Sequence, residues 1–259
     1  MINRAVTLPL LFTVCAAVAF PQSTRFRSGV FLHHSTGGCI WGPNGSATSV
    51  PKEITAYNQQ RGFTGQDAVS LTESGWPTNP WNNEWERWHR IFENGDTVNA
   101  DIRPILSSQR IIVIKSCYPS SAMTGYGSAA DTLTPTRKSM YNYKWHWRHF
   151  LKAMKERTQN FFVIWTNAPL VAASTNDQAA QLSHQFCLWA KDTLANGLDA
   201  GFGSFPANAY VFDFFHKLAG PDGKLPATYT NSSSDSHPNG AATLLVAPQF
   251  VREVFDAAL

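Results

Sequence analysis

Two short segments at opposite ends of the chain carry residue types able to do nucleophilic chemistry. The first, His33-His34-Ser35-Thr36-Gly37-Gly38, follows the apolar run Val30-Phe31-Leu32. A serine in a glycine-bearing turn after a strand exposes its hydroxyl and offers its own backbone N–H to a developing oxyanion. Its hydroxyl is a weak nucleophile until a base takes the proton, so the turn calls for a histidine. The second segment, Ser234-Asp235-Ser236-His237-Pro238-Asn239, supplies one in a polar stretch just before the last apolar run. From such a loop the His237 imidazole can swing to the serine while a nearby carboxylate orients the ring. A second chemistry uses the same side chains, with His33, His34, Asp235 and His237 as a Zn²⁺ ligand set. The chain lacks the tight His-x-His or His-Glu-x-x-His spacing that would favour the metal.

Alternating strands and helices must bring these ends together. Residues 27–33 read as a short buried strand, and a weaker one lies at Ile54–Asn58 or Ala68–Leu71. Pro80 opens a helix with Trp81, Trp85, Trp88 and Phe92 on one face and Gly95 at its C-cap. Ile111–Ile114 is a continuous β-branched run of the parallel-sheet kind. A helix over Ser139–Arg157 leads to the strand Phe161–Trp165. The helix over Asn176–Asn196 turns Leu182, Phe186, Trp189 and Ala190 inward and ends at Gly197. A last strand, Tyr210–Phe214, precedes a closing helix, Ala241–Ala258, interrupted at Pro248. Strands spaced by helices imply right-handed crossovers and an α/β fold, a parallel sheet with helices on both faces. Ligands of such sheets bind at the carboxyl ends of the strands, where Ser35, Asn167 and Asp213 fall.

The chain has 259 residues, 43% hydrophobic and 13% aromatic, but only 15% charged, with a net charge of +3. So much apolar material excludes disorder, and so weak a charge, without a basic block, excludes a nucleic-acid partner. Residues 1–19 carry one cation, Arg4, an apolar run and a small-x-small ending, Ala17-Val18-Ala19, the pattern of a secretory signal peptide. The run is short for a membrane span, and the mature chain contains none as long. The expectation is therefore a secreted protein, extracellular or periplasmic, whose residues 20–259 form a single catalytic domain. Cleavage removes Cys15 and leaves Cys39, Cys117 and Cys187.

In the order and spacing of these elements the chain resembles the SGNH (GDSL-type) hydrolase superfamily. The resemblance implies a flavodoxin-like three-layer α/β/α sandwich, with Ser35 as nucleophile and His237 as general base. His33-His34-Ser35 replaces the family's usual Gly-Asp-Ser, as in divergent branches. The family's Asp-x-x-His element is also displaced, because Ser234 stands three residues before His237 and Asp235 two before. Either Asp235 orients His237, or a Ser–His dyad works with the help of a carbonyl. For the oxyanion, the family pattern points to the amide of Ser35 and to Gly75 after the second strand. Ser116 takes the place of the Asn expected after the third strand. In a 2-1-3-4-5 sheet the first and third strands are neighbours, so a Cys39–Cys117 disulfide is expected to brace the Ser35 loop, with Cys187 a free thiol.

A serine route needs neither cofactor nor metal. Trp41, Trp76, Trp81 and Tyr118 could stack on sugar rings, with Asn167 as a further substrate contact. Together they favour a small acyl group, such as acetyl, on a carbohydrate as substrate. The competing reading is a glycan-binding module on the same fold with a decayed triad.

Overall fold

The computed structural model describes residues 26–78, 84–94 and 100–259. The expected signal peptide, Trp81 and Gly95 lie outside the described residues. Strands β1 (Ser28–Leu32), β2 (Ser70–Ser74), β3 (Ile111–Ile114), β4 (Phe161–Trp165) and β5 (Ala209–Phe212) form one parallel sheet in the order β2-β1-β3-β4-β5. The continuous apolar runs of β3 and β4 are buried throughout, because both sheet faces are covered. Alternate residues supply two separate cores. Phe31, Val113, Val163 and Trp165 meet helices α1 (Thr36–Trp41), α2 (Val50–Arg61) and α8 (Gly240–Ala258). Leu32, Ile112, Ile114 and Phe162 meet α3 (Glu84–Asn94), the short α4 (Arg103–Ser108), α5 (Met140–Lys155) and α6 (Asp177–Leu188). The result is the expected three-layer α/β/α sandwich, with β1 and β3 packed closely. A Cβ on Gly29 would lie 2.0 Å from the Ile111 carbonyl oxygen, so no other residue fits there.

Several element boundaries differ from the sequence expectation. Ile54–Asn58 belongs to helix α2, not to a strand. Ser49 caps that helix, Ile54 and Tyr57 form its buried side, and Gly62 closes it in the left-handed region at φ 66°. The second strand is therefore the alternative near residue 70, extended to Ser74. The last strand stops at Phe212, because the Asp213 carboxylate caps the short helix α7 (Phe214–Leu218). After Leu188 the sixth helix continues as a π-turn over Trp189–Leu194. Pro248 lies inside α8 without ending it, since Val246, Phe250, Val251 and Val254 anchor both sides of the proline in the core. The segment bearing His237 is not an open loop. It is β7 (Asp235–Pro238), paired antiparallel with β6 (Thr230–Ser232).

Cys39, Cys117 and Cys187 are all free thiols, so the expected Cys39–Cys117 bridge is corrected. Adjacent strands do bring the two cysteines to one sheet edge. However, α1 turns buried Thr36 toward Cys117, with Thr36 Oγ1 3.9 Å from its Sγ, while Cys39 sits on a half-buried side.

Candidate active site

Ser35 lies at the sharp junction between β1 and α1, at φ 46° and ψ −99°. A non-glycine residue in this region costs about 1–3 kcal/mol, a strain that collects at functional sites. As the N-cap of α1, a serine would ordinarily accept an amide hydrogen bond from the first turn. Ser35 makes no such cap bond. Its Oγ is hydrogen-bonded instead to His237 Nε2, across 202 residues of sequence.

The other ring nitrogen, His237 Nδ1, lies 2.6 Å from Asp235 Oδ1, which also accepts the His237 amide at 3.1 Å. Of the two arrangements left open by the sequence, the hydrogen bonding is the one in which Asp235, not a carbonyl, meets His237 Nδ1. Burial pushes the Asp235 carboxyl up, but the hydrogen bonds from the ring and amide of His237 outweigh it and hold the group below its ordinary range. A carboxylate in that state keeps the Nδ1–H oriented and leaves Nε2 free to take the serine proton. Ser234, at the family's usual carboxylate position, is exposed and pairs with Ser232 Oγ at 3.1 Å. The Tyr118 ring stands edge-on to the imidazole, with centroids 5.0 Å apart.

The turn is held from below by residues whose part was not visible in the sequence. Lys115, 1% exposed, donates from Nζ to the His34 carbonyl at 3.3 Å. Behind it, Glu84 is wholly buried and accepts the Cys117 amide and, at 3.1 Å, the Ser120 hydroxyl. Burial drives the Glu84 carboxyl up to about 7, against the pull of Lys115 and these donors. A charged residue just after an apolar strand was the available signal for Lys115. Nothing in the helical spacing of Trp85, Trp88 and Phe92 singles out Glu84.

The four residues of the alternative Zn²⁺ reading do not converge. His33 Nε2 is 2.8 Å from Glu73 Oε2, and burial lowers its imidazole to about 3, so the ring is a neutral donor packed under the turn. His34 Nε2 donates to the Pro77 carbonyl at 2.5 Å. His237 is engaged by Ser35 and Asp235. The four residues thus serve three separate sets of partners, and the metal alternative at this site is withdrawn.

Parallel pairing sets Leu32 level with Ser74 and Ile114, so Gly75 and Ser116 flank the Ser35 turn on either side. The space where Gly75 would carry a side chain is open, whereas Ser116 is buried. Tyr118 and Trp76 follow on the same two loops, both half-buried, and Trp76 packs against Trp88 with centroids 5.9 Å apart. Trp41 leans on Phe31 in the core at 6.5 Å between centroids. Asn167 is corrected as a substrate contact. It is buried, and its Nδ2 donates to Ser183 Oγ of α6 at 3.0 Å.

No family model and no curated protein sequence matches the chain. Among solved structures, it is similar to a candidate acylhydrolase from Bacteroides fragilis NCTC 9343 at 14% identity and a TM-score of 0.39, over 91% of this chain and 90% of that one. It is also similar, at 14% identity and a TM-score of 0.42 over 92% of each chain, to a GDSL-like lipase from Bacteroides thetaiotaomicron VPI-5482.

Proposed function

We propose that the protein is a secreted serine ester hydrolase that removes small acyl groups, acetyl first among them, from a carbohydrate. One observation carries the hydrolase assignment, the continuous Ser35–His237–Asp235 hydrogen-bond chain at the carboxyl edge of the sheet. Ser35 Oγ attacks the ester carbonyl as His237 Nε2 takes its proton, and the imidazolium is steadied by Asp235. The amides of Ser35 and Gly75 receive the oxyanion, with Ser116 beside them. His237 returns the proton to the departing alcohol. Water, activated by the same ring, then releases the acid.

The carbohydrate preference rests on Trp76 and Tyr118, half-buried aromatic rings on both sides of the nucleophile turn. Secretion rests on the signal-peptide pattern of residues 1–19. No helix among the described residues is long and apolar enough to cross a membrane.

The test is hydrolysis of 4-nitrophenyl acetate and of an acetylated polysaccharide by wild type and Ser35→Ala. Wild type should release acetate from both, and Ser35→Ala should lose about 10³-fold or more in kcat/KM. Activity that survives Ser35→Ala removes the serine mechanism. Glycan binding without any ester cleavage identifies a binding module instead.

A further inference from the structure

Helices α3 and α5 pack against each other on the sheet face opposite α8, and three side chains meet at their seam. His89 and Glu93 stand one helical turn apart on α3, and His149 faces them from α5. Their potential ligand atoms all lie within 4.8 Å of one another. His149 Nδ1 is 3.4 Å from Glu93 Oε1, and the other carboxylate oxygen bonds His89 Nε2. Around a tetrahedral ion with bonds of about 2.0–2.2 Å, ligand atoms sit about 3.3–3.6 Å apart, so small rotations of Glu93 and His149 complete the set. Both of those side chains reach solvent, which leaves room for a water as fourth ligand, while His89 is buried.

We propose that His89 Nε2, the Glu93 carboxylate and His149 Nδ1 form a site for a zinc-class divalent metal ion, separate from the Ser35 centre and clipping α3 to α5. Two features distinguish the seam from a simple hydrogen-bond cluster. A ligating imidazole normally directs its second nitrogen to a fixed acceptor, and His89 Nδ1 lies 2.8 Å from Nδ1 of buried His146. His146 is buried on α5, which holds its ring in place as the partner of that second nitrogen. Trp145 also lies against the two outer rings, 4.1 Å from His149 and 5.0 Å from His89 between centroids, and walls one side of the site. Two imidazoles and one carboxylate suit Zn²⁺ and disfavour Mg²⁺, which prefers oxygen ligands and several retained waters.

The test is titration of the full secreted chain with ZnCl₂ by calorimetry, in parallel with its thermal unfolding. The expected result is one Zn²⁺ per chain at micromolar Kd or tighter, undisturbed by a hundredfold excess of Mg²⁺. At 100 times Kd, zinc should raise Tm by about 5–10 °C. Glu93→Gln, nearly isosteric, and His149→Ala, at a partly exposed position, should each weaken binding at least tenfold and abolish the Tm shift. His184→Ala, at a histidine outside the seam, should bind as wild type does. Absence of saturable zinc binding, equal affinity in both seam variants, or loss in His184→Ala alone would overturn the assignment.

Discussion

Lys115 Nζ donates to the carbonyl oxygen of His34, on the far side of the peptide group whose N–H belongs to Ser35. A cation on the carbonyl draws electron density through the amide and makes that N–H a stronger donor toward an oxyanion. The same contact pins the peptide just before the strained φ of Ser35. In the proposed reaction Lys115 is therefore a positioning residue, acting through the His34–Ser35 peptide. Lys115→Met should lower kcat about 10- to 100-fold while KM changes by less than about threefold. Steady-state kinetics on a soluble aryl ester checks this, and an unchanged kcat removes the role.

The carboxylate that orients His237 is Asp235, not the residue three positions before the histidine. Asp235→Asn should cost about 10³- to 10⁴-fold in kcat, because an amide at that place no longer favours the reactive tautomer. Ser234→Ala should stay within about twofold of wild type. Damage from Ser234→Ala with Asp235→Asn near wild type would instead place the orienting group three residues before His237.

Gly37 packs against the side chain of His33, and an added Cβ would lie 2.4 Å from His33 Cβ and 2.9 Å from Lys115 Cδ. Neither neighbour is free to move, since His33 is tied to Glu73 and Lys115 to His34. Gly37→Ala should destabilise the fold by about 3 kcal/mol, an overpacking cost. Gly75→Ala, which meets open space, should leave stability within about 0.5 kcal/mol. Urea midpoints of the two variants make the comparison.

Buried His33 and His146 stay neutral in the fold down to about pH 3, but their unfolded counterparts protonate near 6.5. Unfolding therefore takes up protons between these values, and each contributes a loss of about 1.4 kcal/mol per pH unit as pH falls. Glu84 acts with the opposite sign. Its folded carboxyl holds a proton up to about pH 7, and the unfolded one releases it above 4.5, so the two effects partly cancel in that window. Tm should decline gently from pH 6.5 to 4.5 and more steeply below. In Glu84→Gln the upper limb should steepen, and in His33→Gln both limbs should flatten. A Tm profile identical in all three proteins contradicts these assignments.

The layered fold was legible because its cause is local. Continuous apolar runs such as Ile111–Ile114 demand cover on two faces, and helical spacing on either side of them supplies it. Ser35 and His237 were legible as candidates from their places at the two ends of a βα chain, and the fold brings their side chains into hydrogen-bond contact. The segment at residues 54–58 was misassigned because four or five residues cannot display a period, and what decided for helix was the capping by Ser49 and Gly62. Asn167 was misassigned because its position at a strand end says nothing of which way the side chain turns.

What the linear order of residues dictates here is the α/β sandwich, and with it the carboxyl edge of the sheet and the pair Ser35 and His237 as candidates. Which group bonds which was decided only by folding. Asp235 meets His237 because β7 pairs with β6, Lys115 reaches the His34 carbonyl because β1 lies beside β3, and His89 meets Glu93 and His149 because α3 packs on α5. Asp235 and His237 lie on one strand of a short hairpin, whereas the other two contacts join elements far apart in sequence. Their relative register is set by core packing, which no local spacing encodes.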